Sequence, residues 1–434
     1  MDLQPLKHIV LADDLTGAND SGVHFLSEHG KVIVNIDPRD GEPLSFAQTT
    51  IINTDSRLLT PKQAYDKLYG ITSSLPKNGP TIIFKKIDST LRGNIGSEID
   101  ALIDAGGFSL VCVASASPRN GRTVSNGFCY VDGIPLAETE IANDLFNPVH
   151  SSSIKDILTT QTSRPIGLIE LPILRSSLQS GIQHIKKLIT EGKKIVVADS
   201  ENSDDLRRIK DICSMIDAKI LYVGSAGLFH ALKEGPLVST KGLSSPLSGN
   251  ILFVIGSLME TTLKQVTELQ RNKNVSVFQI KSVDMNKGNI ENLIASLAQR
   301  INEAFTHNRI VLIKSEQANN GLLVPPEVVG TALGSLVKII IEHVDIDAIM
   351  ATGGDTAQHI LKQLDVKYLE IIDEILPGIP VTKLSFRSFH KPMIFITKAG
   401  SFGNTKALTD IVNYLDGPLE GKTKYIGAYH ETTI

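Results

Sequence analysis

Along most of the chain, short apolar runs of strand length alternate with stretches whose apolar residues recur at helical spacing. In the first half the runs are His8-Ile-Val-Leu-Ala12, Ile51-Ile52, Thr81-Ile-Ile-Phe84, Leu110-Val-Cys-Val-Ala114, Ile195-Val-Val-Ala-Asp199 and Ile220-Leu-Tyr-Val-Gly224. They are apolar in succession, not at every second position. That marks strands buried on both faces, as in a parallel sheet covered by helices. Helices are predicted from about Asn19 to His29, after a loop Asp13-Asp14-Leu-Thr-Gly17, and from about Gly96 to Asp104. Gly127 to Pro135 reads as a hairpin turning at Asp132-Gly133.

The pattern breaks once. From Gly235 to Gly249 the periodicity gives way to Gly, Pro and Ser, the composition of a linker. Alternation resumes with strands at Asn250 to Ile255, Val311 to Lys314, Ile346 to Met350 and Met393 to Thr397, and helices through about Leu269, from Ala357 to Leu364 and from Asn404 to Leu415. A chain of 434 residues exceeds one ordinary domain. The expected fold class is α/β in two domains, 1–235 and 250–434, joined by a linker at 236–249. Each is expected to be a mostly parallel sheet flanked by helices. Asp416 to Ile434 reads as a polar tail.

Composition narrows the partners. With 41% hydrophobic and 21% charged residues, the chain can bury full cores. A net charge of −4 gives no broad pull toward nucleic acid, and the absence of Trp removes a base-stacking surface. No apolar run reaches the roughly 18 residues of a membrane span. Cys112, Cys129 and Cys213 lack metal-ligand spacing and suit a reducing, cytoplasmic setting.

Candidate chemistry concentrates where strands give way to helices. Met350-Ala-Thr-Gly-Gly-Asp-Thr-Ala-Gln-His-Ile360 is a strand, a glycine pair and a helix start in that order. Glycines allow close backbone approach, and the first N–H groups of a helix lack partners, so the arrangement is an anion site. Asp355 stands at the helix start, as a cap or a base. Gly256-Ser257 and Gly400-Ser401-Phe402-Gly403 repeat the unit. In one parallel sheet all three loops would project from the same edge, where their N–H groups could cradle a polyphosphate. Neither a Walker A motif nor a dinucleotide fingerprint is present.

The first half carries different side chains at equivalent places. Asp13-Asp14 end one strand. Arg57 lies just past another and could hold a carboxylate through two parallel hydrogen bonds. Lys85-Lys-Ile-Asp-Ser-Thr-Leu-Arg-Gly-Asn94 is the densest polar cluster, suited to a small polyhydroxy acid.

These stretches resemble the four-carbon acid sugar kinase family. The resemblance rests on Ala12-Asp-Asp-Leu-Thr-Gly-Ala-Asn-Asp20, Lys85-Lys-Ile-Asp-Ser-Thr-Leu-Arg-Gly93, Gly224-Ser-Ala-Gly227, Gly353-Gly-Asp-Thr356, Leu376-Pro-Gly378 and Lys398-Ala-Gly-Ser-Phe-Gly403. It runs from about residue 6 to residue 415. It implies an N-terminal acid-sugar-binding domain, a C-terminal nucleotide-binding domain, and ATP-dependent phosphorylation of a C4 sugar acid at its terminal hydroxyl. The chain is most similar to the D-threonate branch; D-erythronate, L-threonate and 3-oxo-tetronate are the alternatives. By the resemblance, Asp14, Arg57 and Lys85, Lys86, Ile87 and Asp88 fall where the family binds the sugar acid. Ser257, Gly353, Gly354, Asp355, Thr356, Gly400, Ser401, Phe402 and Gly403 fall where it binds ATP.

Phosphoryl transfer needs in-line positioning, neutralised charge and an acceptor for the hydroxyl proton. Mg²⁺ is expected with ATP, its ligands undetermined. Asp355 is the first choice of base and Asp14 the second. Transfer between domains also calls for closure that excludes water. The competing class is a sugar-acid sensor without chemistry, which three phosphate-type loops disfavour; a dehydrogenase is disfavoured by the missing fingerprint. A homodimer is the expected assembly, with neither nucleic acid nor membrane as partner.

Overall fold

The computed structural model describes residues 8–26, 30–38, 44, 47–75, 81–144, 147–232, 243, 245–257, 259–281, 284, 290–316, 324–384, 392–400 and 402–417. The chain divides into two compact units, Met1–Phe25 with Gly30–Pro236, and Leu26–His29 with Leu237–Ile434.

The first unit contains β1 (His8–Ala12), β2 (Val32–Ile36), β3 (Thr49–Asn53), β4 (Thr81–Lys86), β5 (Leu110–Ala114), β6 (Arg122–Ser125), β7 (Phe128–Val131), β8 (Ile134–Pro135), β9 (Ile166–Ile169), β10 (Ile195–Ala198) and β11 (Ile220–Gly224). Its main sheet runs β2-β3-β1-β4-β11-β5-β10-β9. Every pairing in it is parallel. The unbroken apolar runs explain this: Ile9, Val10, Leu11, Val111, Val113, Val196 and Leu221 are all buried. The strand order reverses at β1, with β3 and β2 on one side and β4 on the other. Ligands of open α/β sheets bind at such a switch point, beyond the carboxyl ends of the strands. β6, β7 and β8 form a separate antiparallel sheet. Its turn holds Asp132 at φ 51° and Gly133 at φ 80°, the left-handed pair a tight hairpin needs.

The first helix corrects the sequence reading. It spans Leu15–Val23, not 19–29, because Asp14 caps it: the carboxylate accepts from Gly17 N at 3.0 Å. Leu15, Thr16 and Gly17 are therefore its first turn, not a loop.

The second unit contains β12 (Asn250–Ile255), β13 (Val275–Lys281), β14 (Ile310–Glu316), β15 (Ile346–Thr352), β16 (Tyr368–Leu376), β17 (Ile379–Leu384) and β18 (Met393–Lys398). The strands run β13-β14-β12-β15-β18-β17-β16, with β17 antiparallel to both neighbours and the others parallel. The order again reverses at the first strand, here between β12 and β15. Ile251, Phe253, Leu312, Met350, Val381 and Ile396 pack with Leu408 and Ile411 of the helix Ala407–Leu415 into its core.

The ends of this unit are anchored. Leu247 N donates to Leu415 O at 2.8 Å, so the end of the linker stretch is held against the last helix. Asp416 pairs with Lys273, at 3.2 Å, and with Arg309, which binds the start of the tail stretch to the unit. Among the described residues no helix is long and apolar enough to cross a membrane. All three cysteines are buried and unbridged.

Candidate active site

In the first unit the polar residues gather at the carboxyl ends of three neighbouring strands, β3, β1 and β4. Asp13 and Asp14 follow β1, and Arg57 lies four residues past β3. Arg57 Nε donates to Asp13 Oδ2 at 2.8 Å, and its Nη2 pairs with Asp14 Oδ1 at 2.9 Å. Asp13 is buried, which by itself would raise its pKa. Arg57, with Lys85 and Lys86, outweighs that and holds the carboxyl below its ordinary value.

Lys85 and Lys86 end β4 and point to different partners. Lys85 is fully buried, and its Nζ pairs with Glu98 Oε2 at 2.9 Å. The Ser56 hydroxyl donates to the other Glu98 oxygen. Burial, helped by Asp13, pushes the Glu98 carboxyl up against the pull of Lys85. Lys86 Nζ donates to Ile87 O at 3.0 Å and lies beside Gly17 of the first helix. Ile87 is buried; its N–H donates to Gly224 O at 2.9 Å, which ties this segment to the Gly224–Gly227 motif. Asp88 accepts from Arg92 Nε at 2.6 Å and from Thr90. Burial alone would raise its pKa, and Arg92 and Arg57 reverse the direction. Arg57, Asp13, Asp14 and Asp88 thus belong to one charged cluster, whereas Lys85 is turned into the interior.

In the second unit the three glycine-bearing loops follow β12, β15 and β18, which are adjacent and parallel. They converge. A Cβ on Gly256 would lie 1.8 Å from Thr356 Oγ1, one on Gly400 2.2 Å from Ser257 Oγ, and one on Gly353 3.9 Å from Ser257 N. Gly353, at φ 90°, is the N-cap of the helix Gly354–Gln363 and supplies no side-chain cap. Asp355 is therefore not the cap. It is an exposed residue of the first turn, and the sole acid there. The first N–H groups of this helix face the convergence without intrahelical partners, as an anion site requires. Gly378, at the β16–β17 turn, packs on Phe402: a Cβ there would lie 2.3 Å from its ring. Ser401 lies outside the described residues.

Several residues that build these sites carried no sequence signal of their own. Glu98 is one of three acids on the helix Ile95–Gly106, with Asp100 and Asp104, and only the fold reveals that it is the one facing Lys85. Thr262 and Gln265 lie on the helix Glu260–Asn272. Thr262 Oγ1 donates to Gly400 O at 2.7 Å, and Gln265 Nε2 donates to the carbonyls of Phe402, Gly403 and Asn404 at 3.0, 3.1 and 2.9 Å. Lys398 and the loop carbonyls it binds stood inside a quoted motif, but nothing in the sequence showed that its ammonium turns back onto them.

A charged cluster at one switch point and a convergence of glycine loops at another give the two units different ligand chemistry. Comparison with known proteins gives the class. A family model described as a sugar-binding N-terminal domain matches residues 8–232, and one described as a nucleotide-binding C-terminal domain matches residues 252–408. A D-threonate kinase of Salmonella typhimurium is 31% identical over 95% of this chain and 99% of its own length. A D-erythronate kinase of Heliobacterium modesticaldum is 27% identical over 96% and 98%. A solved structure from Haemophilus influenzae superposes with a TM-score of 0.68 at 20% identity, covering 94% of this chain and all of its own, a likeness of fold. The chain belongs to the four-carbon acid sugar kinase family and is a sugar-acid kinase.

Proposed function

We propose that the chain transfers the terminal phosphoryl group of ATP to the 4-hydroxyl of a four-carbon sugar acid, with D-threonate as the substrate. The observation that carries the reading is the convergence of the Gly256, Gly353 and Gly400 loops on one edge of a parallel sheet. Backbone N–H groups and a helix N-terminus aimed together suit the β- and γ-phosphates. In the other unit, the Arg57–Asp13–Asp14 cluster with Lys86 and Asp88 has the donors and acceptors that a carboxylate and several hydroxyls need. The choice of D-threonate rests on the 31% identity with the Salmonella enzyme.

Arg57 takes a modified role in this reading. Two of its nitrogens are engaged by Asp13 and Asp14, so it acts as the post that fixes both acids and offers its remaining edge to the substrate carboxylate. Asp355 accepts the hydroxyl proton. Asp14 is the weaker choice, because its Oδ1 already accepts from both Gly17 N–H and Arg57. Among the described residues no group of three His, Cys, Asp or Glu forms a metal site. That fits Mg²⁺, which binds through phosphate oxygens with one or two carboxylates. Asp355 is the acid beside the cradle, and bound Mg²⁺ would neutralise charge on the transferring group.

The test is ADP release from ATP with a panel of C4 acids. Turnover with D-threonate well above the rest supports the proposal. Preference for D-erythronate, L-threonate or 3-oxo-tetronate moves the substrate, and saturable sugar-acid binding with no ADP release would leave a sensor.

A further inference from the structure

Lys398 is the last residue of β18, and its side chain is fully buried. Among the described residues of the second unit it is the only buried Lys or Arg, and no carboxylate there pairs with it. Its ammonium donates instead to three carbonyls of the loop that follows: Ala399 O at 2.9 Å, Gly400 O at 3.2 Å and Phe402 O at 3.0 Å. Thr262 and Gln265 draw carbonyls of the same loop to the same inner side. In a planar trans peptide the N–H points opposite to the C=O. Turning the carbonyls of Ala399 and Phe402 inward therefore turns the amides of Gly400 and Gly403 outward. Neither amide donates to a described residue. The Gly400 side of the loop faces Ser257, within the convergence of loops described above.

A buried ammonium surrounded only by neutral carbonyls is an incomplete arrangement. Carbonyl dipoles satisfy its protons, but no opposite charge offsets its desolvation. Burial accordingly pulls its pKa down to about 8. The cradle above it is built for anions. We propose that Lys398 is the positioning cation of the nucleotide site: it draws the loop carbonyls inward so that the Gly400 and Gly403 amides face the phosphates, and its charge is completed by those phosphates across the thickness of one loop. This rests on reading the cradle as the nucleotide site. It adds a coupling, because nucleotide binding must hold the ammonium protonated.

The titratable groups on the elements around Lys398 are Glu260, Lys264, Glu268 and Arg271 on the helix Glu260–Asn272, Asp347 on β15, Asp355, His359 and Lys362 on Gly354–Gln363, Asp410 and Tyr414 on Ala407–Leu415, Lys383 on β17, Tyr368, Glu370, Asp373 and Glu374 on β16, and Lys406 in the loop. As classes, carboxylic acids and imidazoles ionise below about pH 7, and tyrosines and ordinary lysines above about pH 10. A proton taken up near pH 8.5 on binding is therefore assigned to Lys398.

The experiment is calorimetric titration of ADP into the full chain at pH 8.5, in two buffers of different ionisation enthalpy. With a free-state value near 8, binding should take up roughly three quarters of a proton, and ADP affinity should fall toward tenfold per pH unit above pH 8. Lys398→Met, checked by its melting curve, should bind ADP at least tenfold more weakly and without proton uptake. Tight ADP binding by the native chain with no proton uptake would overturn the proposal and leave the nucleotide site standing. No ADP binding by the native chain would overturn the nucleotide-site reading itself, and the coupling with it. The native measurement needs no variant, so a Lys398→Met chain that fails to fold does not remove the test.

Discussion

Gly256 lies against the hydroxyl of Thr356, so close that a Cβ on the glycine would fall 1.8 Å from Thr356 Oγ1. The two residues follow β12 and β15, the strands between which the sheet order reverses. Their contact sets how near the first phosphate-type loop stands to the helix N-terminus at Gly353. Gly256→Ala forces the loops apart, since the atom it meets is a short β-branched side chain that cannot swing away. Nucleotide affinity should drop by roughly tenfold or more, about 1.4 kcal/mol, while sugar-acid binding stays. Titration of each ligand separately checks this, and unchanged ADP affinity in a folded variant would disprove it.

The glycine loops were legible because their chemistry is local: a strand, a glycine pair and a helix start are neighbours in sequence. The parallel sheets were legible because both faces of a buried strand show up as an unbroken apolar run, such as Leu110 to Ala114. Strand β13 was not read, since Val275–Lys281 is half-exposed along most of its length and mixes Ser, Gln and Lys with its apolar residues. The pairings were hidden for a different reason. Ser56 and Glu98 are 42 residues apart, and Thr262 and Gly400 are 138 apart. No spacing encodes such a contact; only the strand order brings it about. The Asp355 cap failed because a glycine with positive φ can begin a helix unaided, which shifts the acid into the first turn.

Arg57 spans two acids, Asp13 at 2.8 Å and Asp14 at 2.9 Å, from different nitrogens of one planar fork. Lysine keeps the charge but cannot hold both at once. Arg57→Lys should raise KM for the sugar acid by roughly ten- to a hundredfold, the effect of losing one hydrogen bond between charged groups, about 1.5–3 kcal/mol. KM for ATP should stay near its native value. Steady-state kinetics with each substrate varied in turn measures both, and an unchanged sugar-acid KM would remove Arg57 from the site.

Lys85 and Glu98 form a buried pair whose loss should read out as stability first. Lys85→Met leaves the Glu98 charge without its counterion and should destabilise the first unit by about 3–5 kcal/mol. Adding Glu98→Gln should recover much of that loss, because the uncompensated charge is gone. The sign with pH follows from the carboxyl. Its folded-state value is raised above the ordinary one, chiefly by burial. Glu98 thus favours folding when protonated, and that contribution is lost as pH rises from the unfolded value through the folded one. Lys85→Met should therefore be least damaging in mild acid. Thermal melts of the single and double variants from pH 4.5 to 7.5 test this, and equal losses at every pH would argue against an ionised Glu98.

Asp355 carries the mechanistic wager, and its place in the first helical turn makes the test cleaner than a capping residue would allow. The cap is Gly353, so Asp355→Asn breaks no capping bond. What it removes is negative charge near a helix N-terminus and the power to accept a proton. If Asp355 takes the proton from the 4-hydroxyl, kcat should fall roughly a hundredfold or more, with the melting temperature nearly unchanged. Asp14→Asn is the paired control. Asparagine caps a helix about as well as aspartate, so the helix Leu15–Val23 should persist while the ion pair to Arg57 is lost. That variant should raise KM for the sugar acid more than it lowers kcat. If instead Asp14→Asn alone abolishes turnover with sugar-acid binding intact, the base lies in the first unit. A metal-binding Asp355 would also lower kcat, so both variants are assayed across Mg²⁺ concentrations. Recovery of Asp355→Asn at high Mg²⁺ would assign the carboxylate to the metal, whereas a loss that no Mg²⁺ concentration restores supports proton transfer.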